Sequence, residues 1–126
     1  MTIARIAGDS AKTFLERVLA SDVHVRDGQA RATLLLNEAG EPLADALICN
    51  DDDRYLLFAE GTPRQELLSH LEAQTIGDVA IEDHSTAYEL VSLNGPFAWE
   101  LVAELEGRGI IGFPYLSFYH GTGGKL

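Results

Sequence analysis

Apolar residues fall at Ala11, Phe14, Leu15, Val18 and Leu19, an i, i+3, i+4, i+7, i+8 spacing that predicts an amphipathic helix. A short apolar run before it, Ile3 to Ile6, reads as a strand, and Gly8-Asp9-Ser10 opens the helix. Asp9 suits the N-cap because its carboxylate can accept the free amides of the first turn, and Asp22 lies past the point where the stripe ends. Ala30 to Leu36 and Leu43 to Cys49 read as strands joined across Asn37-Glu38-Ala39-Gly40, a loop with hairpin chemistry. Asn50 to Asp53 then turns the chain into Tyr55 to Phe58, which completes an antiparallel meander.

Thr62-Pro63-Arg64-Gln65 predicts a second helix start, with a capping threonine, a proline at the first helical position and a glutamine three residues after the cap. Leu67, Leu68 and Leu71 form its apolar face. Val79 to Glu82 and Tyr88 to Leu93 read as two more strands, and Gly95-Pro96 opens a third helix with Ala98, Leu101, Val102 and Leu105 on one side. Gly107 to Gly109 stops it. The aromatic-rich stretch Ile110 to Tyr119 has room for one more strand. Hairpins outnumber crossovers, so the pattern predicts an α+β fold: an antiparallel or mixed sheet with three amphipathic helices packed on one face.

At 126 residues and 46% hydrophobic content, the chain can enclose one core and is too short for two ordinary domains. Residues 1–120 are therefore expected to form a single domain and 121–126 a flexible tail. Gly121-Thr122-Gly123-Gly124 lacks the phosphate-loop lysine followed by Ser or Thr, and no helix follows it. The net charge of -11 and the absence of a basic stripe among nine Lys and Arg argue against nucleic acid. No apolar run reaches the roughly 18–20 residues that cross a bilayer, and no basic-then-apolar leader opens the chain, so neither a membrane nor an export route is expected. Cys49 is the single cysteine, which excludes an internal disulfide and suits a reducing, cytoplasmic setting.

Asp45 is the oddity, a carboxylate at the centre of Leu43-Ala44-Asp45-Ala46-Leu47-Ile48-Cys49, which reads as a strand buried on both faces. An ionised carboxylate in apolar surroundings is costly unless paired. Two readings stand: a partner or proton acceptor for a cationic ligand, or a carboxylate satisfied locally at a strand irregularity. His24, His70, His84 and His120 lack the close spacing of a zinc site, and Asn50-Asp51-Asp52-Asp53 lacks the alternating ligands, central glycine and distal glutamate of a calcium loop. No metal is expected. Cys49 has no neighbouring histidine in sequence to activate it and reads as a small buried hydrophobe. Phe97 and Trp99 fall off the third helix's stripe, and with Phe113, Tyr115, Phe118 and Tyr119 they suggest an exposed apolar patch.

Taken in order, the motifs resemble the N-terminal folate-binding domain of the glycine cleavage T-protein (aminomethyltransferase) family. They are Ile6-Ala7-Gly8 leading into Phe14-Leu15 and Asp22-Val23, Gly28-Gln29-Ala30 followed by Leu36-Asn37 and Gly40, Asp45 itself, and Asn94-Gly95-Pro96 with Ala98. The resemblance implies a tetrahydrofolate site in one-carbon transfer, with Asp45 as its electrostatic and catalytic centre and with Gly40, Leu36 and Asn94 beside it. Where the family has two aspartates in tandem, Ala44 precedes Asp45, and Ala32 stands where a tyrosine is common. The later Tyr-Thr-Gly-Glu stretch, whose glutamate holds the pterin, and the following C-terminal domain lie outside the resemblance, so the sequence reads as part of a transferase. A homodimer or a complementary C-terminal chain would then be its partner. The alternative is a noncatalytic interaction module that kept the fold and lost folate chemistry.

Overall fold

The alternation of inward and outward side chains along its strands accounts for how this chain divides its two sheet faces. The computed structural model describes residues 1–121 and 124–125. Five strands, β1 (Thr2–Ala7), β2 (Ala30–Leu36), β3 (Pro42–Asp51), β4 (Arg54–Glu60) and β5 (Ala80–Asp83), form an antiparallel sheet in the order β2-β3-β4-β1-β5. Helices α1 (Ala11–Val18) and α2 (Arg64–Ala73) supply Phe14, Leu15, Leu67 and Leu71 to the core, all fully buried. They meet Ile6 of β1, Leu35 of β2, Ala44, Ala46 and Ile48 of β3, and Leu57 and Ala59 of β4. The α+β class, the meander and the inner faces of both helices are as the pattern predicts.

The helix starts differ from expectation. Neither α1 nor α2 has a side-chain cap: Ser10, not Asp9, is the N-cap of α1, and Pro63, not Thr62, is that of α2. The polar groups serve tertiary bonds instead. Ser10 Oγ accepts the amide of Asp78 at 3.3 Å, the Ser10 amide donates to the Asp78 carbonyl at 3.0 Å, and the Thr62 hydroxyl donates to the carbonyl of Leu43. Gly8 makes the first of these possible. Its φ of +119° is glycine's region, and a Cβ there would sit 2.3 Å from the Asp78 carbonyl oxygen.

A third helix, α3 (Ala98–Glu106), and a short 3-10 turn, η1 (Arg108–Ile110), follow β5, and neither buries a residue. Gly107 ends α3 at a φ of +91° with its amide on the Ala103 carbonyl. Tyr88 to Leu93, expected as a strand, is irregular and exposed. The run is apolar enough for a strand, but its carbonyls and amides find no sheet edge. In Ile110 to Tyr119 the expected strand shrinks to a single bridge, Gln29 to Ser117, flanked by the Ala30 amide on the Leu116 carbonyl and the Phe118 amide on the Gly28 carbonyl, each at 2.8 Å. Two short strands, β6 (His120–Gly121) and β7 (Gly124–Lys125), pair with each other. Thr122, Gly123 and Leu126, part of the stretch read as a tail, lie outside the described residues. Among the described residues no helix is long and apolar enough to cross a membrane, and no cluster of His, Cys, Asp or Glu could hold a metal ion.

Candidate functional site

The strand carrying Asp45 is not buried on both faces. Ala44, Ala46 and Ile48 point to the helices, while Asp45, Leu47 and Cys49 take the opposite side by the two-residue period of a strand. β4 repeats the division: Leu57 and Ala59 face the core, and Leu56, Phe58 and Glu60 face away. The outward residues line an open cavity of ≈ 460 Å³, closed at its margins by Ala30, Leu90 and the segment Leu116 to Phe118. Leu116, at a φ of +53°, bends that segment over the sheet, a conformation uncommon for a leucine. The wall is overwhelmingly apolar.

Asp45 stands on the rim of this cavity and is exposed, so it is neither a carboxylate trapped in a core nor one satisfied at a bulge. The irregularity in the β2–β3 ladder falls between the pairs Leu35–Ala44 and Leu36–Pro42, while Asp45 itself pairs in register with Leu34. Its cross-strand partner is Glu60 of β4, which lines the same cavity. Neither side chain takes an ion pair or hydrogen bond among the described residues. Two like charges directly opposite on neighbouring strands repel, and a cationic or hydrogen-bond-donating ligand would relieve that repulsion. Sequence reading missed Glu60. The signal was present only as register: counting back from the Asn50 to Asp53 turn pairs Glu60 with Asp45.

The other residues implied by the resemblance are not gathered here. Gly40, at a φ of +79°, is at the exposed β2–β3 hairpin tip. Leu36 lines a separate polar hollow with Arg17, His70 and Gln74 on the helix side. Asn94 is exposed and donates to the Ser92 hydroxyl at 2.7 Å. Cys49 is buried on the cavity side. Asp51, expected in a solvated turn, is 7% exposed and lies 2.7 Å from His120 Nε2, which ties the end of the β3–β4 hairpin to β6.

Several carboxyls elsewhere on the surface have perturbed titration. The His84 imidazole, with Arg5 behind it, holds the Glu82 carboxyl below its ordinary range, and the hydroxyl and amide of Ser85, with Arg64, do the same for Asp83. The amide of His24 and the Arg31 guanidinium lower Asp22. Burial, helped by Glu16, raises the Tyr55 phenol.

The sequence profile of the GCVT N-terminal domain matches residues 1–125. The chain belongs to the GCVT N-terminal domain family. Among curated relatives, the aminomethyltransferase of Exiguobacterium sibiricum is 30% identical over 118 residues, which is 92% of this chain and 33% of that protein. That of Geobacillus thermodenitrificans is 28% identical over 119 residues, 93% of this chain and 33% of the relative. The chain thus spans about a third of the length of the curated relatives it matches. A crystal structure of glycine cleavage system aminomethyltransferase T from Bartonella henselae matches with a TM-score of 0.73 at 21% identity, covering 96% of this chain and 34% of that one. At that identity the likeness is one of fold, and it agrees with the α+β architecture of a GCVT N-terminal domain.

Proposed function

We propose that this GCVT N-terminal domain binds tetrahydrofolate at the cavity on the outer sheet face, as part of an aminomethyltransferase that moves a one-carbon unit. The supporting observation is the juxtaposition of the Asp45 carboxylate with an apolar hollow of ≈ 460 Å³, within the range of small-molecule sites. A flat heteroaromatic ring suits Leu47, Leu56, Phe58 and Phe118, and its ring nitrogens suit an anionic rim. When bound, tetrahydrofolate supplies the amine nitrogen that accepts the one-carbon unit.

The residues of this chain would act by position. Leu47, Leu56 and Phe58 exclude water from one side of the ligand, and lower local polarity strengthens the field of Asp45. Asp45, fixed on a strand rather than a loop, is a preorganised anion for positive charge developing on an amine. A cytoplasmic location accompanies this reading, since a sequence with a single cysteine suits a reducing compartment.

Calorimetric titration with tetrahydrofolate and with folinic acid tests the proposal. Saturable binding is expected, weakened about tenfold, or ~1.4 kcal/mol, by Asp45→Asn. Absence of saturable binding, or indifference to that substitution, overturns it. A second reading, a noncatalytic interaction module, is favoured by one observation: Phe97, Trp99, Leu101 and Leu105 on and beside α3 are all exposed. Sedimentation separates the two, because a strictly monomeric, freely soluble chain that binds folate leaves the module reading without support.

A further inference from the structure

On the helix side of the sheet, the last turns of α1 and α2 and the start of the β2–β3 hairpin border a second hollow of ≈ 460 Å³, lined by Arg17, Val18, Leu36, Glu38, His70 and Gln74 among others. Its size is that of a small-molecule site, and its walls are polar. The charges on those walls are left apart. Acids outnumber Lys and Arg by 20 to 9 in this chain, and Arg5, Arg31, Arg54 and Arg64 each pair with a carboxylate. The Arg17 guanidinium takes no ion pair or hydrogen bond among the described residues. Glu38, on the same hollow, takes only a neutral group, the Gln74 carboxamide nitrogen at 2.6 Å. Opposite charges that share a hollow without meeting leave room for something between them.

The other polar groups divide in the same sense. Asn37 is used up inside the hairpin: its Oδ1 accepts the amides of Ala39 and Glu41, each at 2.9 Å, and its Nδ2 donates to the Glu41 carboxylate at 3.1 Å. His70 Nε2 lies 3.0 Å from the Leu36 carbonyl oxygen, which can only accept, so in the neutral ring that nitrogen carries the hydrogen and Nδ1 keeps a lone pair. Gln74 spends its nitrogen on Glu38 and keeps its carbonyl oxygen. The hollow thus offers a planar fork of donors at Arg17 and acceptors at Glu38, His70 and Gln74. An arginine fork matches a carboxylate with two parallel bonds. Acceptors beside the carbonyl ends of two helices favour an ammonium. A simple anion would leave Glu38 unanswered, and a simple cation would meet Arg17. We infer that this hollow binds a zwitterion, a free α-amino acid, with its carboxylate on Arg17 and its ammonium on Glu38 and the Gln74 carbonyl oxygen. Because Arg17 belongs to α1 and Glu38 to the hairpin, the bound molecule joins the two.

The inference concerns the opposite face of the sheet from Asp45 and is independent of the folate reading, and its test contains no folate. The isotope-labelled chain is titrated with L-alanine and with L-glutamine and followed by nuclear magnetic resonance. Saturable shifts are expected at Arg17, Glu38 and Gln74, with hydrogen exchange slowed across residues 36–41. Acetate, methylammonium and inorganic phosphate, each carrying one sign of charge, should bind at least tenfold more weakly than the better of the two amino acids. Arg17→Gln and Glu38→Gln should each weaken binding at least tenfold and leave thermal unfolding of the ligand-free chain unchanged, because both side chains are exposed. Absence of saturable binding by both amino acids overturns the inference, as does binding indifferent to both substitutions. Phosphate or acetate binding as tightly as the amino acids assigns a plain anion site, and methylammonium doing so assigns a plain cation site; either result overturns it equally. The ligand series is read on the unaltered chain, so the outcome stands even where a variant fails to fold.

Discussion

Residues 1–83 and the segment after them draw on a similar stock of apolar side chains and use it in opposite ways. In the first, the inward residues of the sheet share one core with α1 and α2, and Phe14, Leu15, Leu67 and Leu71 are sealed from water. In the second, no described residue is buried; apart from Met1 and Ile76, all the large exposed apolar residues fall between Tyr88 and Tyr115. Apolar content therefore decides only whether a segment seeks a covering. Whether it finds one depends on a partner element of matching period within reach.

Four measurements would break or sharpen this contrast. The largest effect is expected for Phe14→Ala, which empties the centre of the core and should cost about 3–5 kcal/mol in urea unfolding, whereas Trp99→Ala should change stability by no more than about 0.5 kcal/mol. Equal costs for the two would abolish the distinction between the regions. Gly8→Ala should follow at roughly 3 kcal/mol, from a disfavoured backbone angle and a collision with the Asp78 carbonyl; a mild loss in a melting experiment would show that the β1–α1 turn can shift. Asp45→Asn should act in the other direction, raising the stability of the ligand-free chain by roughly 0.2–1 kcal/mol by removing the repulsion with Glu60. Glu60→Gln should give the same gain, and the double variant little more, since one repulsion cannot be removed twice.

The smallest effect concerns the seam between the regions, where Glu82 and Asp83 are held below their ordinary values of 4.5 and 3.8. A depressed carboxyl contributes stability above its unfolded value and loses it as pH falls through the folded one. The contribution of these groups should thus be flat from pH 7 to about 5 and decline below about 4.5, and Glu82→Gln should flatten the decline in an acid titration followed by circular dichroism. Both groups are exposed, so salt should weaken the effect.

What could be read from sequence follows the same division. The buried faces of α1 and α2 were legible because periodicity reports burial, and Phe14, Leu15, Leu67 and Leu71 are fully buried; the bounds of β2 were legible although Leu35 alone of its residues is buried. Tyr88 to Leu93 misled because an apolar run looks alike whether it joins a sheet or awaits a cover. Asp9 and Thr62 misled because local capping chemistry also suits tertiary bonds: Ser10 and Thr62 spend theirs on the Asp78 loop and on Leu43. Asp45 was visible as an anomaly, but its setting was not, since the one-residue alternation that puts it on the outer face depends on which face the helices choose. Glu60 gave no local signal at all. Its meaning comes from lying across from Asp45.

The sheet order carries one more consequence. β1 sits between β4 and β5, and Thr2 pairs with Ala59, so during synthesis β1 lacks these two neighbours until about fifty further residues have been made. At ordinary rates of translation this leaves it waiting for about 3–10 s with both edges open. The Arg5 side chain in the middle of that strand is then a safeguard, a charge that discourages nascent chains from adding to one another before β4 arrives.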